Sequence, residues 1–558
     1  SAFNRLHRMT NEGGSIAEEF QLEYAADRVH TMGTAMLGLT MECTRCHDHK
    51  FDPLTMKDYF SMVAFFNSTG ENGLYSHPAV IPSPSMLLPT ATQEATIKKA
   101  RARVEELEAS RETLAASREA AFSSWMSQMS GDAPQPDLIG HFPFDADQSN
   151  VLGNIANGAD KHAQRNGLPA AEGVKGGAIA LSGDTGISIP NFHHADRWDA
   201  ITHSLWIRDT QQNEKPVVVL QRTYGTDVGY NGYDLMLENG HLSARWFRVW
   251  PGNAIGIRTV NPIPKNEWRQ VTWTYDGSSR AKGISIYING EKAPIEIIAD
   301  EPMKKRVGVG THGGGHYTIG QRFRDLGFAG GHVDDLKIFA RELSAIEARD
   351  LFDEKSLTVA IQSKDAAKLK TYYLHAVDAP FRAYLNDLKI ARKALINAEE
   401  PVVEVAIMRD TDPAVPAYIL DRGSYDSPKD TQVTRGVPAF LPRYSESQPS
   451  NRLELTEWML HPDHPLTSRV FVNRLWKEFF GRGIVKSVEN FGVQSDLPTH
   501  PDLLNWLARD FVSNGWDIKR LVKQFVLSST YRQSSQARTD LKEIDPENTL
   551  LARGPAYR

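Results

Sequence analysis

The sequence has only two cysteines in 558 residues, which excludes a scaffold held together by disulfides. It contains no run of about 18 apolar residues, the length that a membrane-spanning helix needs. It also lacks an excess of positive charge, because 63 lysines and arginines stand against 69 aspartates and glutamates. The net charge of −6 gives no electrostatic reason to expect nucleic-acid binding.

The chain does not begin with methionine and shows no signal peptide, and its last residues do not mark a clear domain boundary. We therefore expect a piece or a processed form of a longer protein. The length predicts three or four domains. A hydrophobic content of 41% and a charged content of 24% are ordinary for globular protein.

Both cysteines lie in one short motif. Cys43 and Cys46 have Cys-x-x-Cys spacing, and His47 follows them directly. This is the covalent attachment signature of a c-type haem. Two thiols one helical turn apart can add to the two vinyl groups of the porphyrin, and the next histidine can bind the iron. We therefore predict a haem c site at these three residues, with His47 as the proximal iron ligand.

Other interpretations of this motif stay open. A Cys-x-x-Cys pair alone can be a redox disulfide or half of a zinc site. His47 and His49 would complete a Cys₂His₂ set, although the spacing is tighter than in the usual zinc arrangement. The distal iron ligand is also open, because His49 is too close in the chain to reach the opposite face of the same iron. Candidates are His30, Met56, Met62 and a ligand from a missing N-terminal part.

The composition of the chain changes sharply several times. Charged, helix-forming stretches lie on either side of a long block of short, alternating strand-like runs with Asn-Gly turns, which predicts an antiparallel β-sandwich. The fold class is therefore multidomain α plus β. The predicted segments are a helical part with the cysteine motif (1–75), a linker and long helix (76–136), the sandwich (137–340), a returning helix (341–400) and a mainly helical domain (401–558).

Two long helices flank the sandwich in sequence, over 92–129 and 344–398, the second with a kink at Pro380. A helix that is apolar along one stripe needs a partner. We therefore predict that these helices pair as an antiparallel hairpin with the sandwich inserted at its tip. In the last segment, cap signals predict helices that begin near Thr467, His500 and Asp517.

Several stretches resemble a known family. The stretch from Leu37 to Pro53, with Asp58-Tyr-Phe60 after it, resembles the end of the planctomycete cytochrome-associated domain family. The partner domain of that family is similar to Arg422–Asp426, Gly436–Phe440, Asn451–Leu453, Asn473–Trp476, Phe480–Gly483, Asp517–Lys519 and Ser529–Arg532. The β block resembles a laminin G-like, concanavalin A-like jelly roll at His141–Asp145, Trp273–Gly277, Ile286–Gly290 and Val333–Phe339.

This resemblance implies an exported bacterial protein, in the periplasm or at the cell surface, often combined with cytochrome c and sugar-binding modules. It implies no settled activity, and this chain lacks the N-terminal cytochrome module. We predict a haem c electron-transfer or redox-accessory protein with a carbohydrate-binding module, linked to extracellular polysaccharide utilisation. Its expected partners are a polysaccharide and a redox protein. The alternative is a haem-free surface glycan-binding or adhesion protein with structural helical domains.

Three further groups of residues are candidates for sites. Aromatic and histidine side chains of the sandwich can stack on sugars or fill its core: Trp206, Tyr233, Trp246, Trp250, His312, His316 and Tyr317. Carboxylates of the same block can bind a structural calcium ion: Asp145, Asp147, Asp334 and Asp335. Adjacent residues of a strand point to opposite faces, so Asp334 and Asp335 are not expected to form a catalytic pair of carboxylates across a groove.

Polar side chains of the last segment contain no nucleophile–base pair that sequence can join, so no catalytic residue is predicted and enzymatic activity stays undecided. The polar residues considered there are Arg469, Asn473, Arg474, His500 and Arg532. We expect them to form a hydrogen-bonded network between helices. His461 and His464 are expected to cap a turn rather than to bind metal.

Overall fold

The protein is represented by a computed structural model. It describes residues 2–12, 14–74, 80–129, 133–145, 149–156, 161–192, 194–225, 230–308, 315–322, 326–536 and 538–554. The chain divides into two compact units. We call them the terminal unit (Ser1–Thr10, Ser15–Gly73 and Met408–Arg558) and the central unit (Asn11–Gly14 and Leu74–Ile407).

Helices dominate both ends of the chain. The α-helices are α1 (Ala2–Arg5), α2 (Ala17–Met32), α3 (Met56–Val63), α4 (Ala91–Ser117), α5 (Glu119–Gln128), α6 (Ala345–Asp353), α7 (Ser356–Gln362), α8 (Ala366–Tyr372), α9 (Ala379–Glu399), α10 (Arg452–Met459), α11 (Thr467–Phe480), α12 (Pro501–Ser513), α13 (Ile518–Leu527), α14 (Ser529–Arg532) and α15 (Thr539–Ile544). Turns of π-helix occupy Gly33–Leu37 and Tyr373–Val377, and turns of 3₁₀-helix occupy Glu42–Arg45, Ala281–Gly283 and Asp421–Gly423.

Strands fill the middle of the chain. They are β1 (Ser85–Leu88), β2 (Leu138–Phe142), β3 (Val151–Leu152), β4 (Ala163–Gln164), β5 (Ala170–Glu172), β6 (Gly177–Ala180), β7 (Ile187–Ile189), β8 (Ile201–Asp209), β9 (Val217–Tyr224), β10 (Asn231–Glu238), β11 (His241–Val249), β12 (Asn253–Thr259), β13 (Arg269–Tyr275), β14 (Ile284–Ile288), β15 (Glu291–Lys292), β16 (Ile295–Asp300), β17 (Tyr317–Ile319), β18 (Gly331–Phe339), β19 (Val403–Ala406), β20 (Ala417–Ile419) and β21 (Thr431–Val433).

The strands β2 to β18 form the predicted antiparallel sandwich. Sheet A has the strand order β16-β12-β11-β10-β9-β17-β7-β4-β3, and sheet B has the order β15-β14-β13-β8-β18-β6-β5 with β2 beside β18. Alternate residues of both sheets point into one apolar core, where Leu205, Leu235, Trp246 and Val271 are 0% exposed. The α plus β fold class with an inserted sandwich is confirmed.

The Asn-Gly turns of the sandwich have the geometry that hairpins require. Asn239 and Gly240 join β10 to β11 with φ angles of 50° and 78°. Asn289 and Gly290 join β14 to β15 with φ angles of 51° and 74°. Two successive positive φ angles define a type I′ turn, which matches the twist of the paired strands. These two turns confirm the local prediction from the dipeptide.

The helices that flank the sandwich pair within the central unit. Tyr384 of α9 donates to the carbonyl of Leu107 on α4 at 2.8 Å, and Arg392 binds Glu108 at 3.0 Å. Since Arg118 at the end of α4 binds Asp378 at the start of α9, the two helices run antiparallel, as predicted.

The single kinked helix predicted over 344–398 is wrong. The chain forms α6, α7, α8 and a π-helical turn before α9 begins. Asp378 caps α9 by accepting from the backbone N–H of Phe381, and Pro380 lies in the first turn of that helix. Proline fits this position because the first N–H groups of a helix have no intrahelical partner. Pro380 therefore starts a helix instead of bending one.

The terminal unit is assembled from the two ends of the chain. Helices α2 and α3 share an apolar core with β20, β21 and α10. Helices α11, α12 and α13 form a second core around Val472, Trp476 and Phe525. The predicted starts of these helices are confirmed, since α11 begins at Thr467, α12 begins after His500 and Asp517 caps α13. Gly481 ends α11 in the left-handed conformation.

Among the described helices of both units, none is long and apolar enough to cross a membrane.

Candidate functional site

The cysteine motif forms a short 3₁₀ turn in the terminal unit. Cys43 lies inside the turn Glu42–Arg45, and Cys46 ends it. The carbonyl of Cys43 accepts from the backbone N–H of Cys46 at 3.3 Å. Side chains three residues apart eclipse each other in a 3₁₀-helix, so both thiols leave the turn on one side. Both cysteines are free and exposed.

His47 follows the turn with an exposed ring. Its Nδ1 lies 2.7 Å from the backbone carbonyl of Asp48. A carbonyl can only accept, so Nδ1 carries the proton and Nε2 keeps its lone pair. In the described part of the chain no group bonds to Nε2. This is the tautomer in which an imidazole binds a metal through Nε2.

Residues distant in sequence hold the turn. Arg45 donates to the carbonyl of Gly423 at 2.9 Å and to the carboxylate of Glu23 at 2.5 Å. The thiol of Cys46 donates to the carbonyl of Arg422 at 3.2 Å. The segment 421–423 therefore fixes the turn from one side, while the Cys43 thiol and the His47 ring make no such contact.

The predicted distal ligands differ in burial: Met62 is fully buried, whereas His30 and Met56 are half-buried. Met62 is 0% exposed and belongs to the core around α3, and Met56 packs against the same core. His30 lies 3.1 Å from the hydroxyl of Tyr59 through Nε2, and burial lowers the pKa of its ring. His49 accepts the backbone N–H of Asp52 at 2.8 Å through Nδ1.

These contacts fit covalent haem attachment with one axial ligand from the described residues. The eclipsed thiols can both reach one porphyrin edge, and the free Nε2 of His47 can bind the iron. A tetrahedral zinc site fits less well, because Nδ1 of His49 already accepts a backbone N–H. No group of three or more metal-binding side chains is found among the described residues.

A second candidate surface lies on the sandwich. Six polar residues stand directly opposite one another on neighbouring strands of sheet A, and we call them the polar row: Gln164, Ser188, Thr318, Gln221, Asp234 and Arg245. Directly opposed residues of paired strands share a face of the sheet. Their neighbours in the chain, such as Tyr233, Leu235 and Ile319, point into the core. The polar row therefore faces away from the core.

One end of the polar row is held rigidly. Arg245 binds Asp234 through two hydrogen bonds of 2.8 and 2.6 Å, and the carboxylate of Asp234 is 0% exposed. The Arg245 guanidinium also lies 4.7 Å from the ring centroid of Trp250 and 5.3 Å from that of Phe247. A bidentate pair packed on aromatic rings keeps one orientation.

The other end of the polar row is accessible. Gln164, Ser188 and Thr318 are half-buried, and the exposed residue Asn166 donates to the hydroxyl of Ser188 at 3.2 Å. Among the described residues, the Gln164 amide has no hydrogen-bond partner. This end offers amide and hydroxyl groups of the kind that bind sugar hydroxyls. The polar row could not be predicted from the sequence. Alternation of polar and apolar residues shows which residues of a strand face outward, but it does not show which strands are neighbours.

Of the two roles left open for the aromatic residues, filling or covering the core holds for most of them. Tyr233, Trp246 and Tyr317 are at most 1% exposed inside the core. Trp206 lies outside the core but packs on Phe352, with the ring centroids 5.7 Å apart. The remaining members are Trp250, which contacts Arg245, the exposed His316, and His312, which lies outside the described residues.

The predicted calcium ligands hold a loop. Asp145 accepts the backbone N–H of Gly177 at 2.7 Å, and Asp334 accepts those of Val174 and Lys175 at 2.7 and 3.0 Å. Burial raises the pKa of Asp334. These backbone donors occupy one oxygen of each carboxylate, and the other oxygen of Asp334, Oδ1, is buried without a hydrogen-bond partner among the described residues. Calcium binding stays a prediction. Asp147 lies outside the described residues.

Asp334 and Asp335 act on the same loop, contrary to the expected opposite orientation. The pairing of β18 with β8 shifts after Asp334, and Asp335 has a φ angle of 45°. This bulge brings Asp335 to His141 at 2.8 Å and to the ammonium of Lys175 at 3.1 Å. Burial raises the pKa of Asp335, but these two groups and Lys337 together lower it well below its usual value.

Three of the five polar residues considered in the last segment, Arg469, Asn473 and Arg474, have partners in neighbouring segments, as expected. Asn473 is 0% exposed and exchanges two hydrogen bonds of 2.9 Å with the backbone of Val485. Arg469 donates to Asn505 at 2.8 Å, and Arg474 donates to the carbonyl of Thr34 at 2.7 Å. These contacts join α11 to α12, to the segment around Val485 and to the π-helical turn Gly33–Leu37.

The two histidines before α11 cap turns, which confirms that prediction. His461 accepts the backbone N–H of Asp463, and His464 accepts those of Leu466 and Thr467. His500 contacts its neighbour Thr499 at 3.0 Å.

Three family models match separate parts of the chain. PSCyt2, described as a protein of unknown function (DUF1549), matches residues 1–71. Laminin_G_3, described as the concanavalin A-like lectin/glucanases superfamily, matches residues 181–349. PSD1, described as a protein of unknown function (DUF1553), matches residues 451–558. No curated protein matches the chain.

Solved structures resemble the chain weakly. The binding domain of Paraclostridial Mosquitocidal Protein 1 is 18% identical over 39% of this chain and 52% of that one, with a TM-score of 0.30. Trypanosoma rangeli sialidase in complex with 2,3-difluorosialic acid is 13% identical over 43% and 39%, with a TM-score of 0.31. Domain 4 of the GH43 extracellular arabinanase AbnA from Geobacillus stearothermophilus, in complex with arabinotriose, is 18% identical over 38% and 98%, with a TM-score of 0.27. This chain spans about half of the first of these solved chains.

Proposed function

Because the chain combines PSCyt2 and PSD1 domains with a concanavalin A-like domain, we propose that it is a carbohydrate-binding protein with a haem c attachment site. The central unit would bind a polysaccharide, and the terminal unit would exchange electrons with a redox protein. A carbohydrate-binding unit and an electron-transfer unit in one chain suit polysaccharide utilisation outside the cytoplasm. Export is part of this proposal, as the family resemblance implies.

The observation that carries the haem half is the exposed turn with its paired thiols and free imidazole nitrogen. Cys43 and Cys46 would each add a thiol S–H across a vinyl double bond, so that sulfur bonds to one carbon and the proton goes to the other. His47 would bind the iron, with its Nδ1–H held by the Asp48 carbonyl. When bound, the haem supplies one-electron transfer.

The surroundings of the turn determine what the chain itself contributes. Arg45 and the carbonyls of Arg422 and Gly423 hold one side of the turn, while Cys43 and His47 are exposed. Cys43, Cys46 and His47 are therefore the described residues that would hold the group. Their exposure suits electron exchange with a partner protein.

The carbohydrate half rests on the polar row together with the lectin-like family match. At the accessible end, Gln164, Ser188 and Thr318 present hydrogen-bonding groups on a rigid sheet. Bidentate pairing and ring contacts fix Arg245 at the other end. Polar groups fixed on a sheet bind with little loss of conformational entropy.

Absorption spectroscopy tests the haem half. The chain expressed with the haem-maturation machinery should show a Soret band and a mass increase that survives denaturation. Replacing His47 by alanine should leave the thioether links and change the spin state of the iron. His49→Ala, a change of the other histidine in the motif, serves as the control and should leave the spectrum unchanged. Absence of the Soret band, with both thiols free or joined as a disulfide, would exclude haem c.

Affinity electrophoresis of the full chain in gels with xylan, arabinan or pectin tests the carbohydrate half. We expect retardation by at least one polysaccharide, and Gln164→Ala should weaken it several-fold. Gln128→Ala, on the exposed side of α5, is the matched control. Retardation by none of these polymers, or an equal effect of the two variants, would refute the role of the polar row.

A second candidate function is a haem-free glycan-binding or adhesion protein. The observation in its favour is that the eclipsed thiols of Cys43 and Cys46 can also close a disulfide within the turn. Mass spectrometry of protein matured with haem available would then find a loss of two protons and no added porphyrin. The same result would leave the carbohydrate half intact.

A further inference from the structure

Two arginines of the terminal unit lie close together on the surface of helices α11 and α12. Arg469 is in the first turn of α11, and its Nε donates to the side-chain oxygen of Asn505 on α12 at 2.8 Å. Arg509 follows Asn505 by four residues, so these two side chains are neighbours on one face of α12. Asn505 therefore brings the two guanidinium groups to the same surface.

No acid neutralises this pair of charges. Burial lowers the pKa of Arg469, and the positive charge of Arg509 lowers it further, with no carboxylate acting in the opposite direction. Asp510, the residue after Arg509, is engaged by an arginine of α13. Asp463 and Asp502 also come near in sequence, but in the described part of the chain neither forms an ion pair with these arginines. Like charges that stay close repel each other, and a bound anion would remove that repulsion.

The unused polar groups at this surface are hydrogen-bond donors. Nη1 of Arg469 donates to the carbonyl of Pro465, while its Nη2 has no acceptor among the described residues. The oxygen of Asn505 is occupied by Arg469, which leaves the amide NH₂ group as a donor. The guanidinium of Arg509 is exposed and has no partner within the described ranges. Donors with positive charge fit a ligand group that only accepts, such as a carboxylate or a sulfate.

An exposed aromatic ring borders the same donors. Trp506 is 56% exposed and precedes Arg509 by three residues on α12. Residues three apart on a helix are neighbours at its surface. The ring lies outside the apolar core of α11, α12 and α13, to which Leu504, Leu507 and Phe511 of the same helix belong. An exposed indole offers a flat apolar face beside a charged group, as the C–H face of a sugar ring requires.

We propose that Arg469, Asn505, Trp506 and Arg509, which we call the arginine patch, bind an acidic sugar unit of a polysaccharide. The carboxylate or sulfate group of that sugar would bind the two guanidinium groups and the Asn505 amide, and its ring would stack on Trp506. A neutral sugar would leave the two positive charges uncompensated, so the patch selects acidic polymers. This site goes beyond the proposed function, which places carbohydrate binding in the central unit.

Biolayer interferometry of the full chain on immobilised polymers tests the proposal. Polygalacturonate presents carboxylates, dextran sulfate presents sulfates, and neutral dextran is the control polymer. We expect binding of at least one acidic polymer and none of dextran. Binding should weaken at least about fivefold between about 0.1 M and about 1 M sodium chloride, because salt screens exposed charges. The acidic polymer that binds more tightly identifies the anionic group.

Arg509→Gln is the decisive variant, because this guanidinium has no described partner whose loss could disturb the fold. It should weaken binding of the preferred acidic polymer at least about fivefold. Trp506→Ala should weaken it about threefold through loss of the stacked ring. Arg538→Gln, the matched control, removes the same charge from an exposed arginine that pairs with Asp540, and it should have no effect. Each variant is also made in the Gln164→Ala background, so that binding through the polar row cannot hide its effect.

Several results would each overturn the proposal. They are failure to bind either acidic polymer, binding of dextran as tight as that of the acidic polymers, and binding of single-stranded DNA with equal or higher affinity. Equal effects of Arg509→Gln and Arg538→Gln, or wild-type affinity of Trp506→Ala, would also overturn it. None of these results depends on the haem spectrum or on Gln164→Ala alone, so a failure here leaves both halves of the proposed function standing.

Discussion

A buried carboxylate in the terminal unit offers the sharpest test of what holds that unit together. Glu71 is 4% exposed and lies between two arginines, Arg5 and Arg28, whose side chains are 3% and 1% exposed. Arg28 binds it through both terminal nitrogens, one of them at 2.9 Å, and donates to the carbonyl of Asn4 at 2.8 Å. The Nε2 atom of His7 lies 3.4 Å from the same carboxylate. The change that we consider is Glu71→Gln, which keeps the shape and removes the charge.

The expected loss follows from the burial of the arginines. Removing one partner of a buried ion pair leaves an uncompensated charge and costs about 3–5 kcal/mol. Glutamine can still accept a hydrogen bond, so we expect a destabilisation of about 3 kcal/mol. Replacing Glu71 by leucine and Arg28 by methionine together should destabilise less than the sum of the two single changes, because the double change leaves only Arg5 unpaired, whereas Glu71→Leu alone leaves both arginines unpaired.

Acid should have the same effect as the substitution. Burial raises the pKa of Glu71, but His7, Arg28 and Arg5 lower it far below the usual glutamate value. A group with a lowered folded-state pKa stabilises the fold fully above its unfolded pKa, about 4.3, and this contribution is lost as pH falls below that value. The wild-type chain should therefore lose stability below about pH 4, and Glu71→Gln should lose less.

Hydrogen exchange with mass spectrometry can localise the change. Peptides of α2 and of residues 415–433 should exchange faster in Glu71→Gln, while peptides of the sandwich should not. Glu18→Gln, which makes the same change at an exposed position of α2, is the control. Exchange in α2 that is accelerated less than about fivefold, or equally in both variants, would refute the argument that this cluster holds the terminal unit together.

Three smaller predictions use urea unfolding midpoints and hydrogen exchange of the named segments. Asn473→Ala should destabilise the α11–α13 helices by about 3 kcal/mol, because two backbone groups of Val485 lose their buried partner; unchanged exchange at Val485 would contradict this. Gly481→Ala should destabilise the same helices by about 1 kcal/mol, since its φ of 78° suits glycine; an equal or higher midpoint would contradict it. Asp335→Asn should speed up hydrogen exchange in the 173–177 loop above pH 4, because the ionised aspartate binds Lys175 there. Exchange of this loop at the wild-type rate would contradict the prediction.

The local features of this chain could be predicted because their causes lie within a few residues. The type I′ turns follow from the Asn-Gly pairs at 239–240 and 289–290, which tolerate positive φ at both positions. The end of α11 follows from Gly481, and the start of α13 follows from the Asp517 side chain. In each case the residue that determines the structure lies next to it in the sequence.

Contacts between distant residues could not be predicted in this way. The bulge at Asp335 breaks strand alternation and places two adjacent carboxylates on one loop, so the rule of opposite faces fails there. The polar row contains Gln164 and Thr318, which are 318 − 164 = 154 positions apart, and only the order of strands in sheet A brings its members together. Hydrophobic alternation contains no information about that order.

The cysteine turn depends both on residues within the motif and on residues distant in the sequence. The spacing of Cys43, Cys46 and His47 predicts thiols on one side of a turn, and the 3₁₀ geometry provides that arrangement. Whether the turn is rigid depends on Gly423, whose carbonyl binds Arg45 across 378 positions of sequence. A Cβ atom at position 423 would approach the Arg45 side chain to 2.5 Å, and its φ of 69° favours glycine. The motif therefore specifies the chemistry of the site, and a residue from the other end of the chain holds it in place.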